Sequence, residues 1–567
     1  MAQLSSFIPH SVLRAMLRIA RQRQYRPFER KLGEASRHQR EWLLNRIRES
    51  RNTTFGKDHG FSEIRSLSDF RSRVPVAEYS HFAPYINAVA AGDSAALFPV
   101  HDKVLQFTIT TGSTGIPKLN PVTSSWLREY AAAWDVWGIK LFSDHPGQIG
   151  SRVLQMAGSW DMGKTADGHQ ISMVSALLVR RMSPLVRPFY SVPELLNEIP
   201  DPAARHYAAL RLCILDDIGW IMLMNPGTLI RLAEIGDQNS EDLIRDVTEG
   251  TLTTKCEIPA RIRAALKESR LRPDRLGGQK LEAIARRTGR LLPKDYWKQP
   301  VIACWLGGTA GFQSRYLREY FGESPMRDMG LVSSEGRHTV PLEDDAAEGV
   351  PAVGAGFYEF IPVDEDSTSQ PTVLEGHELT VDRNYRILIS NSAGYFRFDI
   401  GDIVRCRGFL GQAPKLEFIQ KSGRVGDLEG EKLTEHQVVE GAHRAAGKVG
   451  FSLGLFTAVP RRCDRQKPRY DFLVSISDVP DAANAKRFLS QLDQELAALN
   501  FLWHARRKEG VVDAPRLHRL PEDAWYKYIS SETNRLGTGD YQYKHPGLVR
   551  DEGWIGNFSP VDTITME

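Results

Sequence analysis

Cysteine is scarce in this chain: five residues in 567, at positions 213, 256, 304, 406 and 463, with no CxxC spacing. That excludes a zinc ribbon or a disulfide framework and fits a reducing, cytoplasmic compartment. Long apolar runs are missing too. No uncharged stretch is long enough to span a bilayer, so no transmembrane segment is expected. Charge of one sign is not in excess: Lys plus Arg total 73, Asp plus Glu 70, net +3. Nothing in that balance calls for nucleic acid as a partner. Internal repeats and low-complexity tracts are absent. Acids are missing from residues 1–28, where Arg14, Arg18, Arg21, Arg23 and Arg26 accumulate beside Ile8, Val12, Leu13, Met16, Leu17 and Ile19. A transit peptide, a membrane-surface helix and a docked N-terminal helix with solvated arginines all fit that pattern; we expect the docked helix.

The chain is too long for one hydrophobic core, so two or more domains are expected. Helices are expected at 36–52, from Trp126 to about 142 with Ser124 or Ser125 as cap, and over much of 227–290. Residues 53–100 read as turns alternating with short apolar stretches. Val301 to Leu306 is a continuous apolar run of the kind a buried strand shows. Further strands are expected at 357–363, 385–389, 394–398, 403–406 and 416–419. Around 422–431 the text turns to Gly and charge, which suggests a boundary. We expect an α/β (mixed α+β) architecture, with a large domain over 1–424 and a smaller α+β domain over 425–567. The latter reads as strands at 453–459 and 470–476, a helix at 482–500, then irregular structure.

Three segments carry chemistry. Thr-Thr-Gly-Ser-Thr-Gly-Ile-Pro-Lys over 110–118 follows the apolar run 104–109. It lacks the Walker spacing, yet backbone N–H groups, hydroxyls and Lys118 can wrap phosphate oxygens. Gly330-Leu331-Val332-Ser333-Ser334-Glu335 offers a carboxylate of the kind that holds magnesium beside phosphate oxygens. Gly394 to Asp402 ends in Gly401-Asp402, where a carboxylate can accept two hydrogen bonds from ribose hydroxyls; Asp399 competes for that role.

In this order the segments resemble the recognition set of adenylate-forming enzymes. The finer text resembles the Gretchen Hagen three family of acyl-acid amido synthetases over nearly the whole chain. Asn52 to Gly56, Arg73 to Val76, Pro84-Tyr85-Ile86, Arg397 to Phe409 and Gln542 to Pro546 carry the likeness. Leu331-Val332 before Ser-Ser-Glu, and Phe396 and Phe398 in the Gly-Asp segment, depart from the family's usual text and suggest a divergent, bacterial-type member. The resemblance implies ATP and Mg²⁺, a carboxylic acid converted to acyl-AMP, and an amine, usually an amino acid, as acceptor. It assigns Thr111, Ser113, Thr114, Gly115 and Lys118 to the triphosphate, Gly308 and Thr309 to adenine, Ser334 and Glu335 to the Mg²⁺ segment, and Asp402 to the ribose. Arg424 matches a hinge arginine before a mobile C-terminal domain, and Lys544 would reach the α-phosphate or acyl carboxylate. Trp126, Tyr130, Met156, Met173, Trp220 and Met222 are apolar candidates for the acyl pocket, though each also reads as core, with Arg128 as a possible carboxylate anchor. An acyl-CoA ligase, with Arg461, Arg462, Arg465 and Lys467 on CoA phosphates, and a non-catalytic nucleotide-binding protein are the competing readings. Nothing in the residues names the acid, the amine or the oligomeric state.

Overall fold

A computed structural model describes residues 9–566 apart from 111–117, 185, 366–370, 464–465 and 537–542. The chain divides into two compact units. The first comprises Met1–Gly307, Tyr316–Phe418 and Leu536–Tyr541; the second comprises Gly308–Arg315, Ile419–Arg535 and Gln542–Glu567.

Among the described residues, the first unit is built on three sheets. Strands Arg152–Gln155, Ile218–Met222, Val301–Cys304 and Met326–Asp328 lie side by side in chain order, all parallel. Ile218–Met222 and Val301–Cys304 are apolar throughout because helices cover both faces, as a parallel sheet requires. The crossovers hold helices Pro202–Cys213, Pro226–Gln238 and Arg275–Thr288, capped by Asp201, Asn225 and Asp274. Leu210, Leu229, Leu232 and Leu281 from these helices form the core beneath. A seven-stranded sheet holds Asn384–Ser390 and Phe398–Leu410 as neighbours. In the third sheet, edge strand Lys118–Thr123 pairs antiparallel with Val104–Thr110, so Pro121 falls on an edge strand.

Local expectations fail where short-range chemistry overrides periodicity. Residues 53–100 hold helices Thr54–Asp58, Leu67–Arg73 and Tyr79–Ala90. The first two are brief and start on side-chain caps, Thr53 and the Ser66/Asp69 box, while the third carries Pro84 inside it. Helix Ser124–Asp144 is capped by Thr123, one residue earlier than expected, whose hydroxyl accepts from Trp126 N at 3.1 Å. Residues 394–397 form a turn, not a strand: Gly394 and Arg397 have φ of +92° and +54°. The N-terminal helix His10–Ala20 buries none of its residues; Tyr25, Phe28 and Leu32 make the buried contacts, and the arginines are exposed.

The second unit carries a sheet in the order Phe456–Cys463, Gln466–Ser475, Arg516–Leu520, Asp562–Ile564. Helices Glu435–Val449 and Ala482–Leu499 contribute Val438, Ala442, Phe488 and Leu492 to its core. The stretch after Asn500 is ordered, contrary to expectation: helix Phe501–Glu509, strand Arg516–Leu520 and helix Ala524–Leu536. Arg-Leu-His-Arg-Leu reads as polar, yet Arg519 is satisfied by Asp562 and by the Val479 and Pro480 carbonyls. No helix among the described residues is long and apolar enough to cross a membrane.

Candidate active site

Lys118 opens its edge strand, half-buried, with Nζ 5.3 Å from the centre of the Tyr79 ring. The Tyr79 hydroxyl donates to Leu119 O at 3.0 Å and accepts from Leu119 N at 3.1 Å. At the open edge of the sheet, Tyr79 thus does for Leu119 what a further strand would do. Burial raises the Tyr79 phenol to about 12, opposed by the Leu119 hydrogen bond and reinforced by the charge of Glu335. The same carboxylate acts, after burial, to raise Tyr395, whose hydroxyl donates to Asn120 Oδ1 two residues beyond Lys118. Lys118, Glu335, Tyr79 and Tyr395 therefore share one neighbourhood. Thr111, Ser113, Thr114 and Gly115 lie outside the described residues.

Ser334 and Glu335 sit at a turn closed by the Val332–Arg337 bridge and by Ser333 N donating to Gly336 O at 2.9 Å. The turn is braced from outside. Trp126 Nε1 and Asn391 Nδ2 donate to Glu335 O at 2.7 and 2.8 Å, and Glu335 N donates to Ser333 Oγ at 3.2 Å. Among the described residues, no group of three or more His, Cys, Asp or Glu forms a metal cage.

Asp402 owes its place to a bulge. Strand pairing runs Leu388 to Asp399 and then Arg386 to Ile403, so two steps on one strand face four on the other. The two extra residues fall at 400–402, where Gly401 takes φ +70°. Asp399 is used within the bulge: Gly401 N donates to its Oδ1 at 2.8 Å, and Arg386 Nε lies 3.2 Å from Oδ2. Asp402 is buried. The preceding turn is pinned by Arg397, whose Nη1 donates to Val74 O at 2.8 Å and whose Nε reaches Glu359 at 3.0 Å. Ala77 N donates to Arg397 O and Asp399 N to Ala77 O, which ties this segment to the residues just before Tyr79.

The carboxyl end of strand Val301–Cys304 is the end where open α/β sheets take ligands; Gly308 and Thr309, which open helix Gly308–Phe321, belong to the second unit. Asp328, at the same end of the neighbouring strand, accepts from Leu306 N on one oxygen and from Gly330 N on the other. It couples the glycine turn to the Ser-Ser-Glu segment. Burial lifts its carboxyl to about 7, against the backbone donors that favour the charge. Gly330 has φ +81°, and a Cβ there would stand 2.6 Å from Thr339 O, so only glycine fits the approach.

In the second unit Arg424 pairs with Glu435 at 2.7 Å. The same Glu435 oxygen accepts from Gly547 N at 2.8 Å. Thr457 Oγ1 donates to Pro546 O at 2.7 Å. Exposed Lys544 thus precedes a segment anchored by the partner of Arg424. The first unit brings together Lys118, Ser334 and Glu335 with the Asp402 segment, while Gly308, Thr309, Arg424 and Lys544 belong to the second.

Similarity to known proteins extends over nearly the whole chain. Residues 24–326 match the GH3 family N-terminal domain, 349–421 its central domain and 436–553 its C-terminal domain. The chain belongs to the GH3 family. An indole-3-acetic acid-amido synthetase of Oryza sativa subsp. indica is 25% identical over 86% of this chain and 84% of its own length. A jasmonoyl–L-amino acid synthetase of Oryza sativa subsp. japonica is 23% identical over 92% and 94%. The solved structure of the GH3.15 acyl acid amido synthetase superposes with a TM-score of 0.80 at 16% identity, over 94% of this chain and 95% of that one.

In this GH3 chain several pocket candidates are ordinary core. Met173 is fully buried, and Trp220 packs on Phe142 and donates to Gln148 O. Trp126 and Tyr130 stack at 4.5 Å along the inner face of helix Ser124–Asp144. Arg128 is exposed and bonds Ser125 of its own helix. The buried guanidinium on that face is Arg337, two residues past Glu335, which the motif reading passed over. Of the basic cluster, Arg461 and Arg462 bond the backbone and side chain of Glu552, and Arg465 lies outside the described residues.

Proposed function

We propose that this chain is an ATP-dependent acyl-acid amido synthetase. A carboxylate oxygen of the acid attacks the α-phosphorus of ATP, and pyrophosphate leaves. An amine nitrogen, supplied by an amino acid, then attacks the acyl carbon of the adenylate. AMP departs with the acid's oxygen and the nitrogen loses its proton. The reading is supported by one observation above all: in a chain matched by all three GH3 domains, Lys118, the Ser333–Glu335 turn and the segment leading to Asp402 are joined through Tyr79, Asn120 and Tyr395.

The residues divide the work by chemistry. Lys118, with the hydroxyls and N–H groups of Thr111, Ser113, Thr114 and Gly115, takes the triphosphate. Gly308 and Thr309 lie along adenine, and Asp402 accepts from the ribose hydroxyls. The donor set fits magnesium: a hard carboxylate, Glu335, beside the hydroxyl of Ser334, is what Mg²⁺ takes in company with phosphate oxygens. Bound there, the ion would neutralise phosphate charge as pyrophosphate leaves. Lys544 acts on the α-phosphate or acyl carboxylate, with the C-terminal part from about residue 425 moving about Arg424. Rate comes from positioning and charge stabilisation, with no covalent enzyme intermediate.

Acid-dependent exchange of labelled pyrophosphate into ATP over aryl, indolyl and fatty acids tests this. Exchange with an acid, followed by amide formation on adding amino acids, is expected. A thioester with CoA in place of the amide would move the chain to the ligase reading. Failure to bind ATP would overturn both.

A further inference from the structure

Arg337 is 2% exposed, yet Nε, Nη1 and Nη2 all lack a hydrogen-bond partner among the described residues. Its guanidinium lies over Trp134 and Trp137, 4.1 and 5.1 Å from the ring centres. Those faces soften the loss of water but satisfy none of its donors. A buried charge without an anion is destabilising, and removing it often stabilises a fold. Asp328 is near enough to favour the cation, but its oxygens accept from Leu306 N and Gly330 N, and no ion pair forms. A planar fork of free donors against aromatic faces matches a carboxylate.

The position says which carboxylate. Trp126, Tyr130, Trp134 and Trp137 form a row along one helix, with Trp126 Nε1 on Glu335 O at one end. Eight residues separate Trp126 from Trp134, so the Arg337 end lies about 12 Å along the helix axis from the phosphate end. That is too far to hold the carboxylate being adenylated. We propose that Arg337 holds a second substrate carboxylate, distinct from the one activated: the far carboxylate of an elongated acid, or the α-carboxylate of the acceptor amino acid. The inference rests on the amido synthetase reading and deepens it.

Two variants test it, Arg337→Met and Arg337→Lys. Pyrophosphate exchange without amine compares 4-carboxycinnamate with cinnamate; amide formation then compares amino acids at fixed acid. Arg337→Met is expected to keep or raise the thermal unfolding midpoint while raising one KM at least tenfold, with partial rescue by Arg337→Lys. A rise confined to 4-carboxycinnamate puts the arginine on the acid; one confined to the amino acid puts it on the acceptor; either supports the inference. Unchanged KM values in Arg337→Met overturn it. So does a loss of folded protein that Arg337→Lys restores together with full activity, because that is a packing role. If the wild type exchanges with no acid, the amido synthetase reading falls instead. A dicarboxylate-induced rise in the unfolding midpoint, abolished in Arg337→Met, would still carry the inference, and its absence would overturn it.

Discussion

Tyr79 separates two ways of holding Lys118. Tyr79→Phe keeps the ring under Nζ and deletes the hydroxyl that bonds Leu119 N and O at 3.1 and 3.0 Å. Each of those bonds contributes about 0.5–1.5 kcal/mol net, so the start of the strand loses about 1–3 kcal/mol of order. Tyr79→Leu removes the hydroxyl and the ring. The cation–π contact adds about 0.5–2 kcal/mol, a further factor of roughly 2–30 in kcat/KM for ATP. The assay is pyrophosphate exchange with ATP varied at saturating acid, with unfolding midpoints measured in parallel. The expected order is wild type above Tyr79→Phe above Tyr79→Leu, with most of the loss in KM for ATP. Equal activity of the two variants would show that the ring does not position Lys118. An unimpaired Tyr79→Phe would refute the bracing of Leu119.

Further outcomes follow from the same geometry. Lys544→Ala should lower adenylation at least a hundredfold with the unfolding midpoint unchanged, since one charge-stabilising donor removed costs roughly 2.7–4 kcal/mol; a fully active variant removes Lys544 from the mechanism. Asp402→Ala should raise KM for ATP about tenfold or more, whereas Asp399→Ala should chiefly loosen the bulge and lower stability; unchanged ATP kinetics in Asp402→Ala would end the ribose assignment. Burial, with Arg315 adding its charge, lowers His443 to about 4. The folded state therefore favours the neutral ring, and this contribution is present above about pH 6.5 and lost as pH falls to about 4, roughly 3 kcal/mol in all. His443→Gln should flatten the stability–pH curve of the C-terminal unit in that window; an unaltered slope, by chemical denaturation, would contradict it.

What was legible in the sequence is what depends on near neighbours. Val-Ile-Ala-Cys reads as a buried strand because helices cover both faces and apolar text is continuous. The order of Lys118, Ser334-Glu335 and Asp402 was visible because each ends a short motif marked by glycine. What escaped rests on long-range contacts. Tyr79 braces Leu119 forty residues away, and Trp126 bonds a carbonyl 209 residues on. Asp328 ties two glycine turns that no spacing rule connects. The order of the text favours Asp402 over Asp399, but the register shift that separates the two is not visible in it. Arg337 was legible only as the second residue after Ser-Ser-Glu, since its meaning lies in the rings of Trp134 and Trp137.

The most direct test of the account follows an oxygen atom. With an acid labelled with ¹⁸O in its carboxylate, a single turnover in the presence of ATP, Mg²⁺ and an amino acid should leave one ¹⁸O in the phosphate of AMP and one in the amide product. Label in inorganic phosphate, with ADP formed, would mean activation as an acyl phosphate and would contradict the adenylate chemistry proposed for this site.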